Sequence, residues 1–197
     1  MDKISRNMIK ASYEHGLVGC IGLVKSETWL SKAIRFWMNL YRKKVGKPGL
    51  KVYSHSFNII SSNGYLKVTE ALAKGITESH FLDAYPKGTW NNILILKPKK
   101  PLTLKEKKKF CKISRKYNDH PTRYQFTNFL SQMIWIVFGV WIGEDNKGND
   151  KRFYCTEYSG TVYNELRGYF EYKNRVNPVD LQVSDKFDHV PMQKDLV

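Results

Sequence analysis

The stretch VYSHSFNIISSNGYLKVTEAL, residues 52–72, decides the fold that the sequence predicts. Both halves are rich in β-branched and aromatic residues, and the polar, glycine-containing segment SSNG separates them. This pattern predicts two strands that pair as an antiparallel hairpin. The pair Asn63–Gly64 favours a two-residue type I′ turn, because both positions then need a positive φ.

The segments around the hairpin predict an α+β domain. Upstream, the apolar run at 17–24 predicts a buried strand, and SETWLSKAIRFWMNLYRKK predicts a helix that begins at Ser26 or Thr28. The apolar residues of this helix recur at helical spacing: Trp29, Leu30, Ala33, Ile34, Trp37 and Leu40.

Downstream of the hairpin, residues 74–82 and 91–97 predict two more strands, and the pattern then becomes helical. Helices are predicted for LTLKEKKKFCKISRKY, TRYQFTNFLSQMIWIVF and RFYCTEYSGTVYNEL, with the polar loop EDNKGNDK before the last of them. NPVDLQVSDKFDHVPM predicts turns and one short edge strand. The order strand, helix, strands and helices, in a chain of 197 residues, predicts one α+β domain over 1–197 with a core at about 17–185.

The register of the hairpin decides whether His55 and Glu70 lie together. A turn at Asn63–Gly64 pairs residues whose numbers sum to 127, which makes Glu70 a diagonal neighbour of His55. A turn at Ser62–Asn63 places the two directly opposite, and a three-residue loop separates them onto opposite faces. Either two-residue turn therefore predicts a histidine–carboxylate pair, the base and orienting group of a catalytic triad. The alternative is an ordinary polar pair on a solvated face.

Cys155 lies where the last predicted helix begins, if that helix starts near Arg152. The N-terminus of a helix stabilises an anion, so a cysteine in the first turn has a lowered pKa. Free backbone N–H groups at the same end could bind the oxyanion of a tetrahedral intermediate. The alternative is a small core residue. It is supported by one apolar helical stripe: Cys155, Ser159, Val162, Tyr163 and Leu166.

The other cysteines are weaker candidates for a nucleophile. Cys20 lies in an apolar strand, where burial would raise the thiol pKa. Cys111 lies among lysines that would activate it, but no histidine is predicted beside it. Of the five histidines, only His55 opens a strongly predicted strand; the others are His15, His80, His120 and His189. Three cysteines are too few for a disulfide framework and indicate a reducing compartment.

The net charge of +15 favours an anionic partner, such as an anionic polymer or a membrane surface. The lysines of KEKKKFCK are not interleaved with aromatic residues as a base-stacking surface would be, so nucleic acid is the weaker expectation. The alternative is a solvated basic helix face. The sequence leaves the oligomeric state undetermined.

The most apolar run, FLSQMIWIVFGVWIG at 129–143, is too short to span a bilayer, which takes about 20 residues. It predicts a buried core helix, with contact to a membrane surface as the alternative. LVGC at 17–20 resembles a lipoprotein processing site, but the polar residues before it provide no apolar signal core. We therefore expect no signal peptide and a cytoplasmic or phage-associated protein.

Several motifs in a fixed order resemble the circularly permuted papain-like, NlpC-type cysteine hydrolases of the YiiX-like kind. They are SETWLSKAIRFW, SHSFNII, VTEA, FYCTEYSGTVY and NPVDLQVSD, over most of residues 17–185. The resemblance implies that Cys155 is the nucleophile, His55 the base and Glu70 the orienting acid. It also implies a small antiparallel sheet or half-barrel packed on helices. The chain departs from the family pattern at Gly19–Cys20, where the family often has Gly-Asp.

The resemblance implies hydrolysis of an amide or ester through a thiol acyl-enzyme, with no metal or other cofactor. Peptides, peptidoglycan stem peptides and acyl groups are all within the substrate range of such enzymes. Two alternatives remain open at this point. One is a lipid-directed thiol acyltransferase or lipase that sits on an anionic membrane. The other is a catalytically silent basic module that binds nucleic acid or an anionic polymer.

Overall fold

A six-stranded antiparallel sheet with the strand order β4-β3-β2-β1-β5-β6 forms the centre of the molecule. The computed structural model describes residues 15–118, 126–140, 142, 153–171 and 175–192. The strands are β1 (Ile21–Val24), β2 (His55–Ser62), β3 (Tyr65–Leu72), β4 (Gly75–His80), β5 (Ile93–Pro98) and β6 (Phe187–Pro191). The α+β class is confirmed, and the sheet is open rather than closed into a barrel. The predicted edge strand near the C-terminus is β6.

The hairpin of β2 and β3 has the two-residue turn that the Asn-Gly pair predicts. Asn63 and Gly64 both have positive φ, at 50° and 89°. The strand pairs include Asn58 with Thr69 and Ser62 with Tyr65. These numbers sum to 127, so the type I′ register is confirmed and the two alternative turns are excluded.

The helices surround this sheet. They are α1 (Trp29–Lys44), α2 (Phe81–Ala84), α3 (Leu104–Lys116), α4 (Phe126–Phe138), α5 (Cys155–Arg167) and α6 (Pro178–Val183), and a 3-10 helix spans Lys87–Asn92. Thr28 caps α1 by accepting a hydrogen bond from the Ser31 N–H, at 3.2 Å. The sequence prediction lacks α2, the 3-10 helix and α6, because segments of four to six residues are too short to show a helical period.

The helix α5 is buried on all sides along its first nine residues, from Cys155 to Tyr163. The single core-facing stripe predicted from the sequence is therefore only part of the buried surface. Tyr158 donates a hydrogen bond to the Ser114 carbonyl on α3, at 2.7 Å. The helix begins at Cys155 rather than near Arg152, which lies outside the described residues together with the predicted loop EDNKGNDK.

The helices α1 and α4 each have one buried side and one exposed side. On α1 the buried residues are Ser31, Ile34, Met38 and Tyr41, whereas Trp29 is 80% exposed. On α4, Ser131 and Gln132 are buried and Leu130 is exposed, so the prediction of a buried core helix at 129–143 is correct for one side only. Within the described ranges, we find no helix whose length and apolarity suffice for a membrane span.

Candidate active site

His55 and Glu70 form the polar pair that the hairpin register predicts. The distance from His55 Nε2 to Glu70 Oε2 is 2.7 Å. The side chain of His55 is 17% exposed and that of Glu70 is 8% exposed, so little water competes for this contact. Since a carboxylate can only accept hydrogen bonds, Nε2 carries the hydrogen and Nδ1 is left for another partner. The catalytic roles of the two residues stay a prediction.

Tyr85 also belongs to this site, although the sequence did not predict it. Its hydroxyl donates a hydrogen bond to Glu70 Oε2, at 2.8 Å. The ring of Tyr85 stacks on that of Phe57 with 4.2 Å between the centroids. Phe57 in turn packs against Gly22 of β1, where an added Cβ would lie 2.0 Å from the ring. No periodicity marks Tyr85, because it follows a four-residue helix at the end of β4.

Cys155 lies at the first position of α5, beside His55, and only 5% of its surface is exposed. Burial raises the pKa of its thiol, but the charge of His55 and a hydrogen bond from that ring lower it. The backbone N–H groups of Ser56 and Thr156 donate to the sulfur and act in the same direction. The pKa of Cys155 lies below its ordinary value as a result. The amide of Thr156 belongs to the first turn of α5, as expected for a thiol at a helix N-terminus.

The pKa of His55 changes in the opposite direction. Burial lowers it, but the negative charge on Cys155 and the hydrogen bonds to Cys155 and Glu70 raise it well above the ordinary value. For Glu70, burial raises the pKa, whereas His55 and Tyr85 lower it below the usual range. These pKa shifts favour a thiolate at Cys155, an imidazolium at His55 and a carboxylate at Glu70. A thiolate can attack a carbonyl carbon, and a proton donor beside it can protonate the leaving group.

A cleft of about 760 Å³ opens beside this row. His55, Glu70 and Tyr85 line it, and so do the inner residues of α1, including Leu30 and Ile34. Its walls combine apolar side chains with charged residues, among them Lys25, Glu27, Lys74 and Glu78.

Cys155 lines a separate narrow crevice and not the large cleft. The other residues of the crevice are Ile34, Met38, Ser54, Gln132, Tyr154, Thr156 and Pro178. Ile34 and Ser54 border both spaces, so the crevice at the sulfur adjoins the cleft.

The remaining cysteines are buried thiols. Burial raises the pKa of Cys20 to about 12. The lysine-based expectation that Cys111 is activated is wrong: Cys111 faces the core, with 1% exposure, and burial raises its pKa. The lysines beside it, such as Lys108, Lys109 and Lys112, point outward and are exposed.

The other histidines lie in different settings from His55. His189 Nε2 is 2.7 Å from the Gln182 carbonyl, and His80 packs its ring against Tyr65. His15 is part-buried and its Nδ1 accepts a hydrogen bond from the Leu17 N–H, at 3.2 Å. His120 lies outside the described residues.

The fold resembles that of a solved structure, the metalloprotein yiiX from Escherichia coli O157:H7. The match has a TM-score of 0.50 at 14% sequence identity and covers 91% of this chain and 98% of that one. At this identity the similarity shows the fold alone. No protein-family model and no curated protein matches the sequence.

The protein in that solved structure is described as a metalloprotein. Within the part of the chain that the structure describes, no three or more His, Cys, Asp or Glu side chains are grouped so that they could hold a metal ion.

Proposed function

We propose that the protein is a cysteine hydrolase that cleaves an amide or ester through a thiol acyl-enzyme. The observation that carries the proposal is the row Cys155–His55–Glu70, in which the thiol pKa is lowered and the imidazole is fixed by a carboxylate 2.7 Å away. This is the arrangement that nucleophilic catalysis by cysteine requires: a nucleophile, a base and a group that orients the base. The order of motifs typical of permuted papain-like, NlpC-type hydrolases supports it.

The chemistry proceeds in two steps. The Cys155 thiolate attacks the carbonyl carbon, the C–N or C–O bond of the substrate breaks, and the imidazolium of His55 gives its proton to the leaving amine or alcohol. Water then attacks the thioester while His55 takes a proton from it, the C–S bond breaks, and the acid and the Cys155 thiolate are released. In this mechanism, backbone N–H groups at the start of α5 stabilise the oxyanion. Glu70 keeps the imidazole oriented and stabilises its charge throughout.

The lining of the cleft suits two substrate classes. Peptides and peptidoglycan stem peptides suit its charged rim, which includes Lys25, Glu27 and Lys74. Acyl esters are the second candidate, favoured by the apolar wall formed by Val24, Leu30 and Leu72. A panel of peptide amides and acyl esters of increasing chain length distinguishes the two classes, because an acyl site gains rate with each added methylene.

The test is the reactivity of Cys155 toward a small alkylating agent at pH 6. We expect selective and rapid modification of Cys155 in the wild type, a large loss of rate in His55→Ala, and no modification at that position in Cys155→Ser. Cys20 and Cys111 provide the internal comparison, because both are buried with raised pKa values. The same Cys155→Ser variant should lose hydrolysis of any substrate found in the panel.

A Cys155 that reacts at pH 6 no faster than a free cysteine would contradict the proposal. The chain would then be better described as a catalytically silent basic module. That alternative predicts binding to nucleic acid or another polyanion that weakens steeply with salt.

A further inference from the structure

The outer face of α1 carries a stripe of exposed apolar side chains. Trp29 is 80% exposed, Phe36 is 59% exposed and Leu40 is 40% exposed. With 3.6 residues per turn, these three residues lie within an arc of about 80° around the helix axis. The exposed Lys32 and Lys43 lie within the same arc. The opposite face of the helix, with Ser31, Ile34, Met38 and Tyr41, is the buried one. Large apolar residues that form one exposed stripe mark an interaction surface more often than singly scattered ones do.

The end of α4 adds two exposed apolar residues near the C-terminal end of α1. Lys44, at the end of α1, donates a hydrogen bond to the Ile136 carbonyl of α4, at 3.0 Å, so the C-terminal ends of the two helices lie side by side. Phe138 and Val140 follow Ile136 and are 73% and 54% exposed. We call the set Trp29, Phe36, Leu40, Phe138 and Val140 the outer apolar patch.

The charges around the outer apolar patch are positive. The helix α1 contains three lysines and two arginines but no aspartate or glutamate. The acidic residue that precedes it, Glu27, is paired with Lys25 at 3.5 Å and with Arg35 at 3.3 Å. A helix with aromatic and aliphatic residues on one exposed face, flanked by lysines, is typical of segments that lie in the interface of an anionic bilayer.

We propose that the outer apolar patch docks the protein on the surface of an anionic lipid bilayer. Trp29, Phe36 and Leu40 enter the headgroup region, and Lys32 and Lys43 contact the lipid phosphates. The inner residues of the same helix, Leu30 and Ile34, line the cleft beside His55. Docking therefore places α1 between the lipid surface and the cleft. The inference does not depend on the proposed thiol chemistry.

The experiment is co-sedimentation of the full chain with lipid vesicles of two compositions, phosphatidylcholine alone and an equal mixture with phosphatidylglycerol. We expect binding to the mixed vesicles that decreases with salt and weak binding to the neutral ones. The triple variant Trp29→Gln/Phe36→Gln/Leu40→Gln should weaken the partitioning about tenfold or more, because the apolar contribution is lost. Glutamine keeps the helix propensity of these exposed positions.

Two further variants serve as controls. Leu82→Gln/Val183→Gln changes two apolar residues of similar exposure outside the patch, at 47% and 41%, and should bind like the wild type. Lys32→Gln/Lys43→Gln should bind less tightly and with a smaller dependence on salt. Circular dichroism and the Tm establish that each variant is folded.

Equal binding of wild type and triple variant to the mixed vesicles would overturn the proposal, and so would the absence of wild-type binding at low salt. If the patch instead joins two copies of the chain, the wild type would sediment as a dimer and the triple variant as a monomer in sedimentation velocity. Neither protein would bind vesicles. That result would also overturn the membrane assignment. Cys155→Ser should bind vesicles like the wild type, which separates this test from that of the proposed hydrolase.

Discussion

His55 Nε2 and Glu70 Oε2 lie 2.7 Å apart although fifteen positions separate the two residues in the chain. The contact joins the first residue of β2 to the far half of β3, and the type I′ turn at Asn63–Gly64 fixes the register between them. An imidazole held in this way has one ring nitrogen committed to the carboxylate. The other is left for the Cys155 thiol at the start of α5.

The pH dependence of Cys155 alkylation is the first prediction. Because the thiol pKa is lowered and the His55 pKa is raised, the ion pair exists between the two values. The rate should rise at a lower pH than for a free cysteine, because the lowered pKa lets the thiolate form at lower pH. In His55→Ala the positive charge is gone, so the thiol pKa rises and the profile moves to alkaline pH. A wild-type profile that rises only near pH 8.5 would contradict the ion pair.

Tyr85→Phe should lower the reactivity of Cys155 without removing it. The substitution deletes the 2.8 Å hydrogen bond to Glu70 but keeps the ring that stacks on Phe57. A hydrogen bond to a charged group contributes about 1.5–3 kcal/mol, and only part of it reaches the ion pair, so we expect a three- to tenfold slower alkylation at pH 6. Tyr65→Phe, at an exposed position, is the matched control and should leave the rate unchanged. A purely structural role for Tyr85 would change the Tm but not the pH profile.

Met38→Ala should open the crevice over Cys155. Met38 is 2% exposed and shares the crevice with the sulfur, so truncation makes room for an alkylating agent. We expect a several-fold faster modification of Cys155 together with a loss of about 2–5 kcal/mol in the free energy of unfolding. Met38→Leu conserves volume and should change neither quantity by much. An unchanged alkylation rate in folded Met38→Ala would mean that the agent reaches the sulfur by another route.

Gly64→Ala should destabilise the hairpin through its backbone conformation alone. Gly64 has a φ of 89°, and an added Cβ would meet no atom within 4 Å, so the penalty comes from strain and not from a clash. We expect a loss of about 1–2 kcal/mol in the free energy of unfolding by urea. Gly49→Ala also meets no atom, and its φ is not positive; it should be close to neutral. Equal effects at the two positions would argue against strain in the turn.

The sequence alone determined the sheet and the polar pair because both depend on local rules. The β-branched and aromatic residues predicted the strands. An Asn-Gly turn has few ways to connect two strands, so the register and the contact of His55 with Glu70 follow. The order of strands and helices likewise predicted the α+β class. A capping threonine at Thr28 marked the start of α1, and the C-terminal segment NPVDLQVSDKFDHVPM predicted the short edge strand that the structure has as β6.

Only the tertiary structure decided what surrounds this pair. Tyr85 reaches Glu70 because β4 and α2 fold back over Phe57, a contact between segments whose own patterns do not specify it. The burial of α5 on all sides, the inward position of Gln132 and the outward position of Trp29 depend on which faces of the helices meet. Helical spacing shows which residues lie on the apolar side of a helix. The elements that pack against the helix decide which of these residues are buried. For that reason the enclosure of Cys155 and the exposed patch on α1 could not be read from the sequence.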